Sequence, residues 1–288
     1  MSTPSGFRRV LAVAASATAI VAVTALPSAG SASAAAQWAP AATATIHPGT
    51  QMFTDGAQCT ANFVYSDGTS TYVGYAAHCA GTGAATDTDG CTTQSLPLGT
   101  PVTFNTGANL ASEGTQVGTG TLAYSSWLAM QRAGETDADT CAYNDLALVK
   151  VDPAYVGSVN PSVPFWGGPV APTTQGTTVG SSIYSYGNSL LRGGIELLSP
   201  KRGTSLGDDA GGWTHTVYTV TPGIPGDSGS GFMDGSGHAL GVLSTVALAP
   251  LAGSNGVGDL AKELAYANSH GMSGVALVPG TEAFSPII

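Results

Sequence analysis

The sequence predicts an all-β protein. Glycine accounts for 40 of the 288 residues, and the hydrophobic fraction of 43% is high enough for a folded core. Short apolar runs are separated by turn-forming residues, which is the pattern of antiparallel hairpins. Only Asp259 to His270 has convincing helical spacing of its apolar residues. An all-β barrel protein of this length is often one unit, so we expect no second, unrelated domain.

An N-terminal leader, residues 1–36, is not expected to belong to the fold. Two arginines precede a charge-free, mostly apolar run from Val10 to Leu26, and small residues offer a cleavage site near 34–36. This is the pattern of a secretory signal peptide. The alternative is a membrane anchor, but the run is shorter than the ~20 residues of a spanning helix. We therefore expect a secreted, extracellular protein that is free of the membrane after cleavage.

The charge balance is acidic, with a formal net charge of −10 and only 9% charged residues. A protein of this charge is poorly suited to bind the phosphate backbone of a nucleic acid. We expect no nucleic-acid partner and a monomeric protein.

Four cysteines, Cys59, Cys79, Cys91 and Cys141, favour disulfide bonds in an exported chain. The sequence by itself allows three pairings. A zinc site is the weaker alternative, because no two cysteines have Cys-x-x-Cys spacing.

The loop Pro225 to Gly231 combines a serine with flanking glycines, in the order Pro-Gly-Asp-Ser-Gly-Ser-Gly. Ser228 is predicted to lie on a sharp turn where side chains do not crowd it. Gly226 lacks a Cβ, so its backbone N–H can approach a reacting carbonyl. The N–H groups of Gly226 and Ser228 thus predict an oxyanion hole. Glycine-serine loops are also common in ordinary turns, so the interpretation needs a base and an acid elsewhere in the chain.

Both groups occur upstream of the serine. His78 follows a predicted strand, Thr71 to Tyr75, and Asp145 precedes an apolar run, Leu146 to Val151. The alternatives are a buried structural histidine and an aspartate that merely begins a strand. The order His78, Asp145, Ser228 is nevertheless that of one known type of catalytic triad, in which the histidine activates the serine and the aspartate orients the histidine.

The motifs Ala-Ala-His-Cys, Asp-Leu-Ala-Leu and Gly-Asp-Ser-Gly, in this order, resemble those of secreted bacterial serine proteases of the chymotrypsin/trypsin superfamily. The resemblance covers about residues 50 to 270. It implies two six-stranded antiparallel β-barrels followed by a C-terminal α-helix. Residues 37–288 would form this protease domain, with the following parts: first barrel about 50–160, second barrel about 174–257, helix 259–270.

The resemblance also implies a serine endopeptidase that acts on protein or peptide substrates, with His78, Asp145 and Ser228 as its triad. No metal or organic cofactor is implied. In this family the cysteine after the histidine bridges back to a preceding strand, which selects Cys59–Cys79 and leaves Cys91–Cys141.

The same family resemblance implies a substrate pocket. Its floor corresponds to Pro222, its wall and backbone-pairing segment to Ser244, Thr245 and Val246, and its opposite side to Gly256. The floor has no carboxylate to pair with a basic side chain, and Val246 would narrow the slot. We therefore expect cleavage after small or aliphatic residues.

Two other functions stay open. An α/β-hydrolase esterase needs Gly-x-Ser-x-Gly and the order Ser, Asp, His, whereas Ser230 stands where its last glycine would be. A catalytically inactive binding protein on the same fold is the second alternative. The sequence does not reveal the activation route, the partner of Asp227, or the role of the tail after Gly271.

Overall fold

The computed structural model describes residues 1–2, 38–84, 87–173, 175–247 and 251–286. The expected signal peptide lies almost wholly outside these residues. The fold belongs to the compact unit Ala35–Ile288. No helix within the described ranges is both long and apolar enough to cross a membrane.

Antiparallel strands dominate the described chain, which has fourteen strands and three α-helices. The strands are β1 (Gln51–Thr54), β2 (Ala57–Thr60), β3 (Val64–Ser66), β4 (Thr71–Ala76), β5 (Pro101–Thr106), β6 (Thr115–Ser125), β7 (Leu146–Val151), β8 (Ser182–Tyr186), β9 (Pro200–Asp209), β10 (Thr214–Thr219), β11 (Gly231–Asp234), β12 (Ala239–Ala247), β13 (Ser254–Asp259) and β14 (Ala276–Leu277). The α-helices are α1 (Ser126–Ala133), α2 (Ala138–Tyr143) and α3 (Leu260–Ser269).

The N-terminal half, together with β14 of the C-terminal tail, forms an eight-stranded sheet in the order β14-β3-β4-β7-β6-β5-β1-β2. Strands β2 and β3 belong to one continuous segment, 57–66, which pairs with β1 at one end and with β4 at the other. The sheet therefore curls back on itself through this segment, and β14 adds a strand at its edge. Strand β4 leads to the candidate His78, and strand β7 begins directly after the candidate Asp145. These two strands are direct neighbours in the sheet.

The C-terminal half is a closed six-stranded barrel in the order β10-β13-β12-β11-β8-β9. Apolar side chains fill its interior, namely Ile183, Val217, Phe232, Leu240, Leu243 and Val257. The all-β class, the terminal helix and the two-barrel architecture implied by the family resemblance are thus confirmed. The N-terminal sheet has eight strands rather than the expected six, because the tail adds β14 and the segment 57–66 forms two strands, β2 and β3. Helix α3 begins one residue after its predicted start because the carboxylate of Asp259 caps it, accepting the Lys262 N–H at 2.8 Å.

Two helices were not predicted from the sequence. Helix α1 follows β6 directly and buries Trp127 and Met130, and Gly134, with a φ of 65°, ends it. Helix α2 lies in an acidic stretch without helical spacing of apolar residues. The carboxylate of Asp137 caps it by accepting the Thr140 N–H at 2.8 Å.

Three strands also lack a sequence signal. Strand β9 is polar and strand β13 is rich in glycine, so neither shows an alternation of apolar and polar residues. Each pairs with a neighbour on both sides, so the barrel ladder stabilises it rather than its side-chain pattern. Strand β1 has only four residues and directly follows the proline-containing N-terminal arm, residues 39–50.

The tail beyond Gly271 has a structural role. Its strand β14 pairs with β3, and the chain then crosses the segment that links the barrels, where Gly168 donates its N–H to Glu282 O at 2.9 Å. Phe284 packs edge-on against Tyr184 of β8, with ring centroids 5.3 Å apart. The tail therefore contacts both barrels.

Candidate active site

His78 and Asp145 lie at the ends of neighbouring strands. His78 lies in a 3-10 turn directly after β4, and Asp145 immediately precedes β7. The backbone joins the two positions, because Ala77 donates its N–H to Asp145 O at 2.8 Å. The pairing of β4 with β7 thus delivers an imidazole and a carboxylate from positions 67 residues apart.

The carboxylate of Asp145 binds His78 through two hydrogen bonds. Its Oδ2 lies 2.7 Å from His78 Nδ1, and its Oδ1 accepts the His78 backbone N–H at 2.8 Å. Ser244, from β12 of the second barrel, donates its hydroxyl to Asp145 Oδ2 at 2.6 Å. Asp145 is only 3% exposed, so these bonds compensate a buried charge.

The pKa of His78 is raised above its ordinary value. Burial lowers the pKa, but the negative charge of Asp145 and its hydrogen bond to the ring outweigh that effect. With Nδ1 held by Asp145, the other ring nitrogen, Nε2, is left to exchange a proton. A quarter of the side chain is exposed, so that proton transfer is accessible from the surface.

Ser228 lies beside the end of β4 that leads to His78. Its backbone oxygen accepts the Thr60 N–H at 2.8 Å, and a Cβ at the next residue, Gly229, would collide with the backbone of Tyr75 and Ala76. Glycine at 229 is therefore required for this close approach. The Ser228 hydroxyl has no hydrogen-bond partner within the described residues. Hydrogen bonds between a catalytic serine and its histidine are often long in free enzymes and shorten when substrate binds.

The turn before Ser228 presents two backbone donors. Gly226 has a φ of 92°, and the turn closes with Asp227 N–H donating to Ile224 O at 2.8 Å. The N–H groups of Gly226 and Ser228 have no acceptor among the described residues. The Gly226 carbonyl points the other way, where Gln58 Nε2 (3.0 Å) and Thr60 Oγ1 (2.7 Å) donate to it. This arrangement leaves both N–H groups available to a developing oxyanion.

Asp227 finds two cationic partners that the sequence did not indicate. Its Oδ2 forms an ion pair with the guanidinium of Arg192 and lies 3.0 Å from Lys201 Nζ. Lys201 and Asp227 are fully buried, and the Ser189 backbone donates to Asp227 Oδ1 at 3.0 Å. The sequence signal for these partners was the scarcity of basic residues: the whole chain has eight lysines and arginines, so few cations can pair with a buried carboxylate.

The predicted pocket floor lies over these cations. The Pro222 carbonyl accepts bonds from Arg192 Nη2 (3.2 Å) and Lys201 Nζ (3.4 Å), and the Thr221 carbonyl accepts from Lys201 Nζ at 3.1 Å. Burial lowers the pKa of Lys201 and Arg192 lowers it further, while Asp227 opposes them. The carbonyls of Thr221 and Pro222 are therefore held by two cationic side chains.

The predicted pocket walls lie on two adjacent strands. Thr245 and Val246 of β12 pair with Gly256 and Asn255 of β13, and Val246 is 53% exposed. A Cβ at Gly256 would collide with the Thr245 hydroxyl, so this hydroxyl occupies the space beside the glycine.

Asn255 was not predicted as part of the site. It is fully buried, accepts the Gly223 N–H at 2.8 Å and donates to Thr245 O at 3.3 Å. Its side chain therefore connects the segment of the predicted floor to strand β12 of the predicted wall.

Two disulfides brace the site. Cys59 is joined to Cys79, next to His78, and Cys91 is joined to Cys141 at the end of α2. This is the pairing implied by the family resemblance. In the described part of the chain, two clusters of side chains have the types and spacing of metal ligands, and both include cysteines that are already joined in these disulfides.

Cavity size does not mark this site. A cavity of about 470 Å³ is lined by the N-terminal arm, the segment between the barrels and the tail, and none of the candidate triad residues lines it. A second cavity, about 320 Å³, is lined by Asp208, Asp259 and Lys262. The site is therefore defined by the chemistry of its side chains.

Comparison with known proteins yields structural likeness only. No family model matches the chain, and no curated protein matches it in sequence. Among solved structures, Thermobifida fusca protease A is 18% identical with a TM-score of 0.49, over 82% of this chain and 99% of that one. Cellulomonas bogoriensis chymotrypsin is 20% identical with a TM-score of 0.43, over 81% and 98%. Nocardiopsis protease is 17% identical with a TM-score of 0.45, over 81% and 98%.

These identities and TM-scores are too low to carry an argument, so the fold is defined by strand order and barrel closure. By that criterion the chain has the chymotrypsin-like two-barrel fold. It combines this fold with a serine turn, a carboxylate-bound histidine and two free backbone donors.

Proposed function

We propose that this protein is a serine endopeptidase in which Ser228 is the nucleophile, His78 the general base and Asp145 the orienting acid. One observation carries the proposal. His78 Nδ1 lies 2.7 Å from a buried carboxylate, at the strand end that contacts the turn of Ser228. An imidazole held in this way has its other nitrogen free to take the proton of a serine hydroxyl.

The proposed reaction begins when Ser228 Oγ attacks the scissile carbonyl carbon and its proton passes to His78 Nε2. The carbonyl oxygen becomes an oxyanion and accepts the N–H groups of Gly226 and Ser228. Asp145 stabilises the imidazolium without taking its proton. The intermediate collapses, the C–N bond breaks, and His78 protonates the leaving amine. Water, deprotonated by His78, then attacks the acyl-enzyme and releases the acid product and Ser228.

The ion pairs of Asp227 support an enzyme that is active without proteolytic cleavage to create a new, positively charged N-terminus as the partner of this carboxylate. Asp227 precedes the nucleophile and receives both its positive charges from side chains, Arg192 and Lys201. The turn that holds Gly226 is therefore organised by residues present in the uncleaved chain. We expect the full chain and the leader-free chain to react with a serine-directed phosphonate at similar rates.

For substrate preference, we propose small or aliphatic residues before the cut. Pro222 offers no carboxylate, Val246 and the Thr245 hydroxyl narrow the slot, and Arg192 and Lys201 lie below the floor. Positive charge there disfavours an arginine or lysine side chain most strongly, because two like charges repel in a poorly solvated site. Because these two cations outnumber the single carboxylate of Asp227, the cluster is positively charged overall. Glutamate is therefore the second candidate for the substrate residue before the cut.

Secretion is part of the proposal. It is supported by the leader pattern, although that leader lies almost wholly outside the described residues, and by two disulfides, which persist in oxidising compartments. Protein or peptide substrates and a monomeric enzyme complete the proposal.

Labelling with a serine-directed phosphonate tests the function. We expect Ser228 to be modified and peptide hydrolysis to stop, and we expect Ser228→Ala to lose about as much activity as the triple variant, because triad residues act as one unit. Ser236→Ala, in a surface turn, is the matched control. An unlabelled Ser228, with the fold intact, would favour an inactive binding protein. Hydrolysis of esters but not of peptides would favour an esterase.

A further inference from the structure

The inner face of α3 carries a carboxyl among apolar side chains. Leu260, Leu264 and Ala267 are buried, as their helical spacing predicts, and Glu263 is fully buried on the same face. Glutamate is almost never fully buried without a partner, because the charged form loses its hydration. The position of this carboxyl therefore calls for a chemical reason.

The partner of Glu263 is the backbone of Asp145. Asp145 donates its N–H to Glu263 Oε1 at 2.9 Å, across 118 residues of sequence. A Cβ at Gly258 would collide with the same oxygen, so a glycine in β13 makes room for the carboxyl. The hydrogen bond connects the C-terminal helix to the residue whose side chain holds His78.

With this bond, every polar group of Asp145 has a partner. Its carbonyl accepts from Ala77, Oδ1 from the His78 backbone, and Oδ2 from Ser244 and the His78 ring. Only the backbone N–H remains, and Glu263 supplies its acceptor. Leaving that buried N–H unpaired would cost about 1–3 kcal/mol.

We propose that Glu263 is a positioning residue of the triad, whose carboxyl fixes the backbone of Asp145 and through it the orientation of His78. This inference rests on the proposed function, since it assigns a role within the same site.

The charge state of Glu263 suits this role. Burial raises its pKa well above the ordinary value; the Asp145 N–H bond opposes this, while the negative charges of Asp145 and Asp259 add to it. The raised pKa favours the neutral carboxyl, which accepts the N–H without placing a second negative charge beside Asp145. Its Oε2 has no hydrogen-bond partner within the described residues. The titratable groups that influence or are influenced by it are Asp145, Asp259, Tyr65 and Tyr124.

The test compares two substitutions at 263 with a control on the same helix face. Glu263→Leu removes the acceptor, and we expect kcat to fall about 10- to 100-fold with KM nearly unchanged, since misorientation affects the chemical step more than binding. Glu263→Gln keeps an acceptor oxygen and should retain activity within a few-fold at pH 7.

Leu264→Ala is the matched control, because it loosens the packing of α3 without touching Asp145. If Leu264→Ala and Glu263→Leu lower kcat equally for equal losses of thermal stability, the role is structural and the inference is wrong. Should Glu263→Leu not fold, Glu263→Met, which also lacks an acceptor but keeps an unbranched side chain, takes its place, and a kcat equal to that of Glu263→Gln overturns the inference. Phosphonate labelling separates the two proposals: an unlabelled wild-type Ser228 overturns the function, whereas normal labelling with a fully active Glu263→Leu overturns only the role of Glu263.

Discussion

The ammonium of Lys201 lies 3.0 Å from the carboxylate of Asp227, and both side chains are fully shielded from solvent. Arg192 completes the cluster by pairing with the same carboxylate oxygen. Together they hold Asp227, the residue before Ser228, and the carbonyls of Thr221 and Pro222. Stability and catalysis should therefore depend on the same three side chains.

Replacing both cations should leave Asp227 buried and unpaired. We expect Arg192→Met/Lys201→Met to lose about 3–5 kcal/mol of unfolding free energy, and each single variant to lose less, because one cation remains. Activity should fall in parallel as the turn at Gly226 loosens. Urea unfolding and kcat measure the two effects. Lys150→Met, at an exposed position in β7, is the control, and a double variant as stable as this control would contradict the prediction.

The pH dependence of activity should reflect His78. The neutral imidazole is the base, so kcat/KM should rise as His78 loses its proton, and the raised pKa moves this rise above the ordinary value of 6.5. Asp145→Asn removes the charge that raises the pKa. It should move the rise to lower pH and reduce kcat by about 10⁴-fold.

A pH-rate profile of wild type and Asp145→Asn tests this directly. Asp55→Asn, at an exposed turn position that asparagine tolerates, is the control. A rate that does not change with pH through the histidine range would exclude a histidine base.

His215 should make stability depend on pH, independently of catalysis. It is fully buried, with Nδ1 2.7 Å from Asp208 and Nε2 3.0 Å from Asp259. Burial lowers its pKa, but hydrogen bonds to Asp259 and Asp208 and their negative charges raise it overall. Because the folded-state pKa is raised, the stabilisation is fully present below the unfolded value, about 6.5, and is lost as pH rises through the folded value.

Unfolding free energies at pH 6 and pH 9 should therefore differ more in wild type than in His215→Gln, with wild type less stable at pH 9. His270→Gln, on the surface at the end of α3, should retain the wild-type dependence. Equal pH dependence in wild type and His215→Gln would show that the two carboxylates do not stabilise the imidazolium.

Cleavage of a peptide library should be dominated by alanine, valine or leucine before the cut. The preference should be modest, since one methylene in an apolar pocket is worth about 1–3 kcal/mol. Val246→Gly should widen the slot and increase cleavage after larger residues. Thr69→Gly, in the turn between β3 and β4, is the control. Dominant cleavage after arginine or lysine would contradict the pocket assignment, and dominant cleavage after glutamate would favour the second candidate.

Local sequence was enough to predict the elements that carry the chemistry. The hairpin before His78, the apolar strand after Asp145 and the turn around Ser228 have strong local signals, because turn residues and apolar alternation act over a few positions. The terminal helix is confirmed for the same reason: Asp259 caps it and its apolar residues recur at helical spacing. The all-β class followed from these elements, and the two-barrel architecture from the resemblance of their motifs.

The tertiary structure decided what depends on residues far apart in the chain. Strands β9 and β13 are polar or glycine-rich and exist because a closed barrel pairs them on both sides. The pairing of Asp227 with Lys201 joins the turn before Ser228 to strand β9, and that of Asp145 with Glu263 spans 118 residues. No local pattern marks a lysine or a glutamate as buried, because burial arises only when the barrels and the helix pack together and exclude water.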